Sequence, residues 1–255
     1  MPQPINTFKR DQLTVKVFNS ESDMGKAASD ATGSRLRSVI EKKGGANLIL
    51  ATGTSQFSLL ESLKKEDIDW KKITVFHLDE YIGMSDNHPA SFRRFLRERI
   101  LDIVSPGKVY LINGDAENLE AEMNTYQDLL IRHPVDIACI GIGENGHIAF
   151  NDPPVADFND PLWVKAVELD EACRKQQMGE GWFPSMEEVP KKAVTLTITA
   201  IMNCKAINCI VPGKRKARAV SDTLNSEINE RCPATILRTH PEATLFLDSQ
   251  AAPSG

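Results

Sequence analysis

The residues best suited to chemistry lie in one short stretch, Gly141-Ile142-Gly143-Glu144-Asn145-Gly146-His147-Ile148-Ala149-Phe150-Asn151-Asp152. His147 follows a glycine turn, with Asn145 before it and Asp152 after it. A carboxylate bonded to one imidazole nitrogen fixes the tautomer and frees the other for proton transfer. No H-x-E-x-H-type spacing or cysteine cluster accompanies this histidine, so the pattern argues against a metal site. Asp79-Glu80-Tyr81 places two acids side by side. A desolvated carboxylate there is a base able to take a proton from carbon, although a helix cap or an ion pair would use the same residues. Thr52-Gly53-Thr54-Ser55 combines a glycine, hydroxyls and a helix start. That suits a phosphate, and it is equally an ordinary capped turn. Gly213-Lys214-Arg215-Lys216 either lends a cation to the same phosphate or is a solvated basic turn. His77 reads as a hydrogen-bonded structural histidine, and Arg93, Arg94, Arg97 and Arg99 as the wet face of a helix.

Elements that could position these clusters alternate along the chain. Apolar, β-branched runs predict strands at 13–18, 48–51, 73–78, 109–112, 135–140, 164–169, 194–199, 207–211 and 244–247. Helices are predicted over about 22–43, ending at Gly44-Gly45, and over 57–65, 117–132 and 215–224. Phe92, Phe95, Leu96, Ile100 and Ile103 mark one face of another. Repeated βα units of this length predict an α/β fold with a mostly parallel sheet between two helical layers. Without a linker, repeat or low-complexity stretch, residues 1–255 read as one domain. In open α/β sheets ligands bind beyond the carboxyl ends of the strands, so the four polar clusters are expected on one edge. The irregular stretch Pro153–Pro161 reads as a lid.

Composition narrows the partners. A net charge of −5 over 255 residues argues against nucleic acid, whose phosphates demand a basic surface. No apolar run approaches the roughly 18–20 residues that span a bilayer, and no signal-peptide order is present. Cys139, Cys173, Cys204, Cys209 and Cys232 form no C-x-x-C pair, and their number is odd. A reducing cytoplasm fits them best. Gly141, Gly143 and Gly146, with Glu168 about 20 residues on, also spell a dinucleotide fingerprint. Pro153-Pro154 arrive too soon for the crossover helix that this reading requires, so it is rejected.

In this order the clusters resemble the glucosamine-6-phosphate deaminase/isomerase family, whose fold is a three-layer modified Rossmann-like sandwich. The resemblance rests on Leu50–Ser55, Phe76–Gly83, Gly141–Pro153 and the Gly213–Lys216 turn, and runs from about residue 13 to residue 248. It implies conversion of glucosamine 6-phosphate to fructose 6-phosphate and ammonia. His147, held by Asp152 and Asn145, would assist ring opening, and Asp79 would carry a proton between C2 and C1. Thr52, Gly53, Thr54, Ser55 and Lys216 would hold the phosphate, with Arg174 as the substitute for an arginine that often completes that site. Glu80 and Gly143 would complete the substrate site, and Gly179-Glu180-Gly181 would form a distinct substrate-covering loop. Neither metal nor organic cofactor is required, since the sugar's own carbonyl and amine activate the carbon acid. The expected partner is a small amino-sugar phosphate, with no nucleic acid or membrane, and homo-oligomers are allowed. Two positions depart from the family pattern: Asp152 stands where Glu is usual, and Asn145 where many members carry Asp.

Three other readings are weighed. Galactosamine 6-phosphate isomerisation differs only at C4. A 6-phosphogluconolactonase normally follows the histidine with small residues and Leu-Phe-Pro, unlike Phe150-Asn151-Asp152-Pro153 here. A non-catalytic sugar-phosphate sensor usually carries an N-terminal DNA-binding module, whereas about 12 residues precede the first expected strand.

Overall fold

The computed structural model describes residues 2–253. Its central layer is an eight-stranded sheet in the order β1-β2-β11-β10-β7-β3-β4-β6. These strands are β1 (Asn6–Arg10), β2 (Leu13–Phe18), β3 (Ala46–Leu50), β4 (Ile73–His77), β6 (Lys108–Val109), β7 (Ile137–Ile140), β10 (Ile207–Val211) and β11 (Ala243–Asp248). All pair in parallel except β1, which folds back antiparallel on β2 at one edge. That edge strand escaped the sequence reading, because Asn6–Arg10 lies largely exposed and carries no apolar run.

Strand alternation sorts side chains between two cores. Ile49, Ala138, Ile140, Cys209 and Leu245 enter one apolar cluster, and Leu48, Leu50, Cys139, Ile210 and Phe246 enter the other. Helices Leu119–Arg132, Ile198–Met202 and Ala217–Asn225 cover the first face. Helices Glu21–Lys43, Phe57–Leu63 and Phe92–Leu96 cover the second. The three-layer α/β sandwich expected from sequence is therefore present. The helix Glu21–Lys43 starts at an N-cap, Ser20, whose side chain accepts from the Asp23 amide, and ends at Gly44 in the left-handed region, as its sequence signals require.

Two expected strands belong elsewhere. β8 (Val164–Glu168) and β9 (Lys192–Leu196) pair antiparallel, and β9 pairs with β5 (Asp79–Tyr81), making a separate three-stranded sheet. Their apolar runs were legible, but a run does not say which sheet it joins. The 109–112 run shrinks to a two-residue edge strand. The rejected dinucleotide helix is indeed missing, since only turns and an Ile148–Asn151 bridge separate β7 from β8 among the described residues. No described helix is long and apolar enough to cross a membrane.

Small residues let the longest helix approach its neighbour. A Cβ built on Gly25 would lie 2.4 Å from Ser58 Cβ, so Gly25→Ala must push the helices Glu21–Lys43 and Phe57–Leu63 apart. We expect a loss of about 1–3 kcal/mol, as for other overpacked cores. Denaturant melting checks this, and an unchanged midpoint would refute the tight contact.

Candidate active site

Glycine begins both loops of a polar cleft at the carboxyl end of the sheet. Gly53 (φ 88°) follows β3 and Gly213 (φ 86°) follows β10, and each leads into a single 3-10 turn and then a helix. Positive φ is strained for residues with a Cβ, so glycine fits both corners. Gln56 N–H donates back to Gly53 O, while no protein acceptor meets the amides of Thr54 and Ser55 among the described residues. Thr52, Gly53, Thr54, Ser55 and Lys216 all line the cleft, whose volume is about 590 Å³ including space open to solvent. Open amides, hydroxyls and a lysine are the groups from which an anion cradle can be built. Burial pulls the Lys216 pKa below its ordinary value, although the carboxylates of Glu180 and Glu144 oppose that shift.

The His147 turn closes on itself beside this cradle. Gly143 N–H donates to His147 O at 2.9 Å, and Gly146 N–H to Gly143 O at 3.1 Å. His147 Nδ1 lies 2.8 Å from Asp152 Oδ1, leaving Nε2 for the cleft that His147 lines. Asn145 clamps the arrangement from both ends. Its Oδ1 accepts from the His147 amide at 3.1 Å, and its Nδ2 donates to Asp152 Oδ1 at 2.8 Å. Neither Asn145 nor Asp152 is a cleft-lining residue, and each meets the cleft only by its contact with His147. Burial raises the Asp152 pKa, but bonds to His147 and Asn145 and the charge of His147 outweigh it, and the net shift is downward. Asp152 therefore reaches the histidine despite being one methylene shorter than glutamate.

The small sheet fixes this turn against Asp79. Thr195 Oγ1 on β9 accepts from Phe150 N–H at 3.1 Å, and Asn151 Nδ2 donates to Leu196 O at 2.8 Å. Asp79 on β5 pairs with Thr195, so one strand holds both halves of the site. Ala149, at φ 52°, lines the cleft and is held in a backbone region costly for alanine. Asp79 also lines the cleft and is 7% exposed, and its carboxylate accepts no hydrogen bond among the described residues. Burial, with the neighbouring Glu80 charge, raises its pKa well above the ordinary aspartate value. A desolvated carboxyl lining a cleft is a group able to exchange a proton.

Two expected site residues point elsewhere. Successive strand residues face opposite ways, and Glu80 turns away from the cleft. Its buried carboxylate accepts from Ser91 Oγ (2.8 Å), the amides of Tyr81, Phe92 and Arg93, and Arg93 Nε (3.3 Å). It braces β5 from behind, and Arg93, expected to be wet, is buried with it. Arg174 likewise misses the cradle. It projects from the helix Glu171–Gly179 onto the carbonyls of Met186 and Val189. His77 is structural as expected: Nε2 accepts from the Ile112 amide at 2.7 Å, and burial lowers its pKa to about 3.

The sequence reading missed Gln176 and Gln177, which line the cleft in place of the Pro153–Pro161 stretch, and Cys173. The Gly179–Gly181 loop does reach the site, through Glu180. Tyr81 Oη donates to Gln177 Oε1 at 2.9 Å, and the Glu144 amide donates to Gln176 Oε1 at 3.0 Å. Glutamine carries no distinctive signal in a sequence, and only its fold position makes it a site residue. Cys173 contributes a thiol that comes, with donor atoms of His147 and Asp152, within 4.8 Å.

A sheet-edge anion cradle beside an oriented histidine and a buried carboxylate defines a class: α/β proteins that handle small phosphorylated substrates. The chain belongs to the family described as glucosamine-6-phosphate isomerases/6-phosphogluconolactonase, whose profile matches residues 19–246. It is 37% identical over 239 residues to a glucosamine-6-phosphate deaminase of Bacillus cytotoxicus, covering 94% of this chain and 88% of that one. Identity to the deaminase of Listeria monocytogenes serotype 4a is 37% over 218 residues, covering 84% of this chain and 91% of the other. A solved monomeric glucosamine-6-phosphate deaminase superposes with a TM-score of 0.85 at 32% identity, covering 93% of this chain and 98% of that chain. A 6-phosphogluconolactonase from Shewanella baltica gives 0.76 at 20% identity over 92% of this chain and 97% of that one, and so shares the fold.

The His147 ring occupies the space a side chain at Gly143 would need. A Cβ there would lie 2.2 Å from Cε1 and 2.4 Å from Nδ1. We predict that Gly143→Ala rotates the ring off Asp152 while the protein stays folded. Nitrogen chemical shifts of the imidazole report the tautomer, and wild-type shifts in the variant would contradict this packing argument.

Proposed function

We propose that this chain is an amino-sugar phosphate deaminase, converting glucosamine 6-phosphate and water to fructose 6-phosphate and ammonia. The observation that carries the reading is the convergence of Asp79, the Asp152-oriented His147 and the anion cradle on one cleft. Thr52, Gly53, Thr54, Ser55 and Lys216 hold the phosphate and so fix the sugar's far end. His147 Nε2 exchanges a proton with the sugar's ring oxygen and anomeric hydroxyl, opening the ring to the aldehyde. Asp152 and Asn145 keep the imidazole in the required orientation. Asp79 removes the C2 proton, which the adjacent carbonyl acidifies, and returns it to C1. The resulting C2 imine adds water and releases ammonia. The sugar supplies its own electron sink, so no cofactor enters these steps.

The lactonase reading leaves Asp79 idle, because hydrolysis of an ester needs no base at carbon. We further take residues 1–255 as one catalytic domain that works in the cytoplasm, consistent with five free, buried cysteines.

Purified protein should release ammonia and a ketose from glucosamine 6-phosphate, with galactosamine 6-phosphate and 6-phosphogluconolactone run in parallel. Ammonia from neither amino sugar would sink the proposal. Asp79→Asn should abolish exchange of the C2 proton with solvent while substrate still binds. Exchange at the wild-type rate would show that another group is the base. Because the Asp79 pKa is raised, the base loses its charge at a higher pH than an ordinary aspartate. The acid limb of kcat/KM should therefore lie above the usual carboxylate value of about 3.9, and a limb at or below that value would contradict the assignment.

A further inference from the structure

One carboxylate faces the cradle without a part in the chemistry above. Glu180 closes the helix Glu171–Gly179 and lines the cleft. Its Oε2 is the nearest atom, at 3.8 Å, to a Cβ built on Gly53, where the cradle's open amides begin. It is aimed there by two bonds. Gln176 Nε2 donates to Oε1 at 2.9 Å, and Trp182 Nε1 donates to Oε2 at 3.3 Å. Gln176 is itself anchored by the Glu144 amide, so the aim is built into the fold. Lys216 is the only lysine or arginine lining the cleft among the described residues, and Glu180 exerts the largest opposite-charge pull on it. Arg174 is turned away, and Arg215 is held 2.7 Å from Glu144 at the rim.

We propose that Glu180 is an internal counter-anion for the cradle, which a phosphate group must displace in order to bind. This rests on the reading of Thr52–Ser55 and Lys216 as the phosphate site. Next to Lys216 and the open amides, a tethered carboxylate keeps the empty cradle electrically satisfied. A neutral sugar or a singly charged carboxylate gains too little there to evict it, whereas a phosphate dianion gains two charges' worth of contact. Glu180 therefore selects for phosphomonoesters at the cost of some affinity. Glycines on both sides, with Gly181 at φ 84° and no atom within 4 Å of its built Cβ, give the residue room to swing.

Glu180→Gln tests this while preserving size, and its one carbonyl oxygen keeps one of the two acceptor positions that now serve Gln176 and Trp182. Calorimetric titration with inorganic phosphate should show binding at least about tenfold tighter in the variant, because repulsion between like charges is removed. KM for the sugar phosphate should fall by a similar factor, with kcat less affected. Phosphate should also alter the tryptophan emission of the wild type as the Trp182–Glu180 bond breaks, and Trp182→Phe should remove that change. Unchanged or weaker phosphate binding by Glu180→Gln would overturn the proposal, as would phosphate binding by neither protein. Phosphate binding is read without turnover, so tighter binding with no ammonia release from any amino sugar would leave this inference standing and remove the deaminase reading.

Discussion

An imidazole and a Cβ cannot share the same space, and the site is arranged around that exclusion. The ring of His147 lies over the bare backbone of Gly143, and the turn between them closes by amide–carbonyl bonds at both glycines. This contact presents one ring nitrogen to Asp152 and the other to the cleft. The turn would still be free to tilt without a second support. β9 supplies it through Thr195 and Leu196, and the same strand pairs with β5, which carries Asp79. The small antiparallel sheet thus couples the proposed base to the proposed ring-opening histidine, while the large parallel sheet supplies the cradle.

Burial acts differently on the ionisable groups of this region. The Asp79 carboxylate meets no donor among the described residues, so desolvation prevails and its carboxyl holds its proton more tightly. Lys216 is drawn toward its neutral form for the same reason, against the pull of Glu180 and Glu144. The Asp152 pKa instead moves down, although its side chain is at least as buried, because the close contact with His147 and the Asn145 amide favour its charged form. The proposed base is thus left without donors among the described residues, whereas the carboxylate beside the histidine receives one from Asn145. Glu80 is the limiting case. It is satisfied so completely by Ser91, Arg93 and backbone amides that it serves only as a brace.

Much of this was legible beforehand, and for local reasons. The glycines at 53 and 213 mark corners that need positive φ, apolar runs mark buried strands, and Ser20 and Gly44 mark helix ends. The Gly143–His147–Asp152 spacing already implied an oriented histidine, because such a turn is made by neighbours in sequence. Parallel strands separated by helices then force the ends of β3, β7 and β10 onto one edge.

Contacts between distant residues were not legible. Whether Asp79 or Glu80 faced the cleft depended on how β5 paired with β9, more than a hundred residues away. Arg174, Gln176 and Gln177 share one short helix, and only its docking decided that the glutamines line the cleft while the arginine caps carbonyls. The strands at 164–168 and 192–196 were visible as strands, yet their sheet was not, because hydrophobic periodicity records burial and carries no address. Local sequence therefore determined the turns, the strands and the identity of the chemical groups. Tertiary packing alone decided which of those groups share the cleft, since facing and desolvation are properties of the assembled layers.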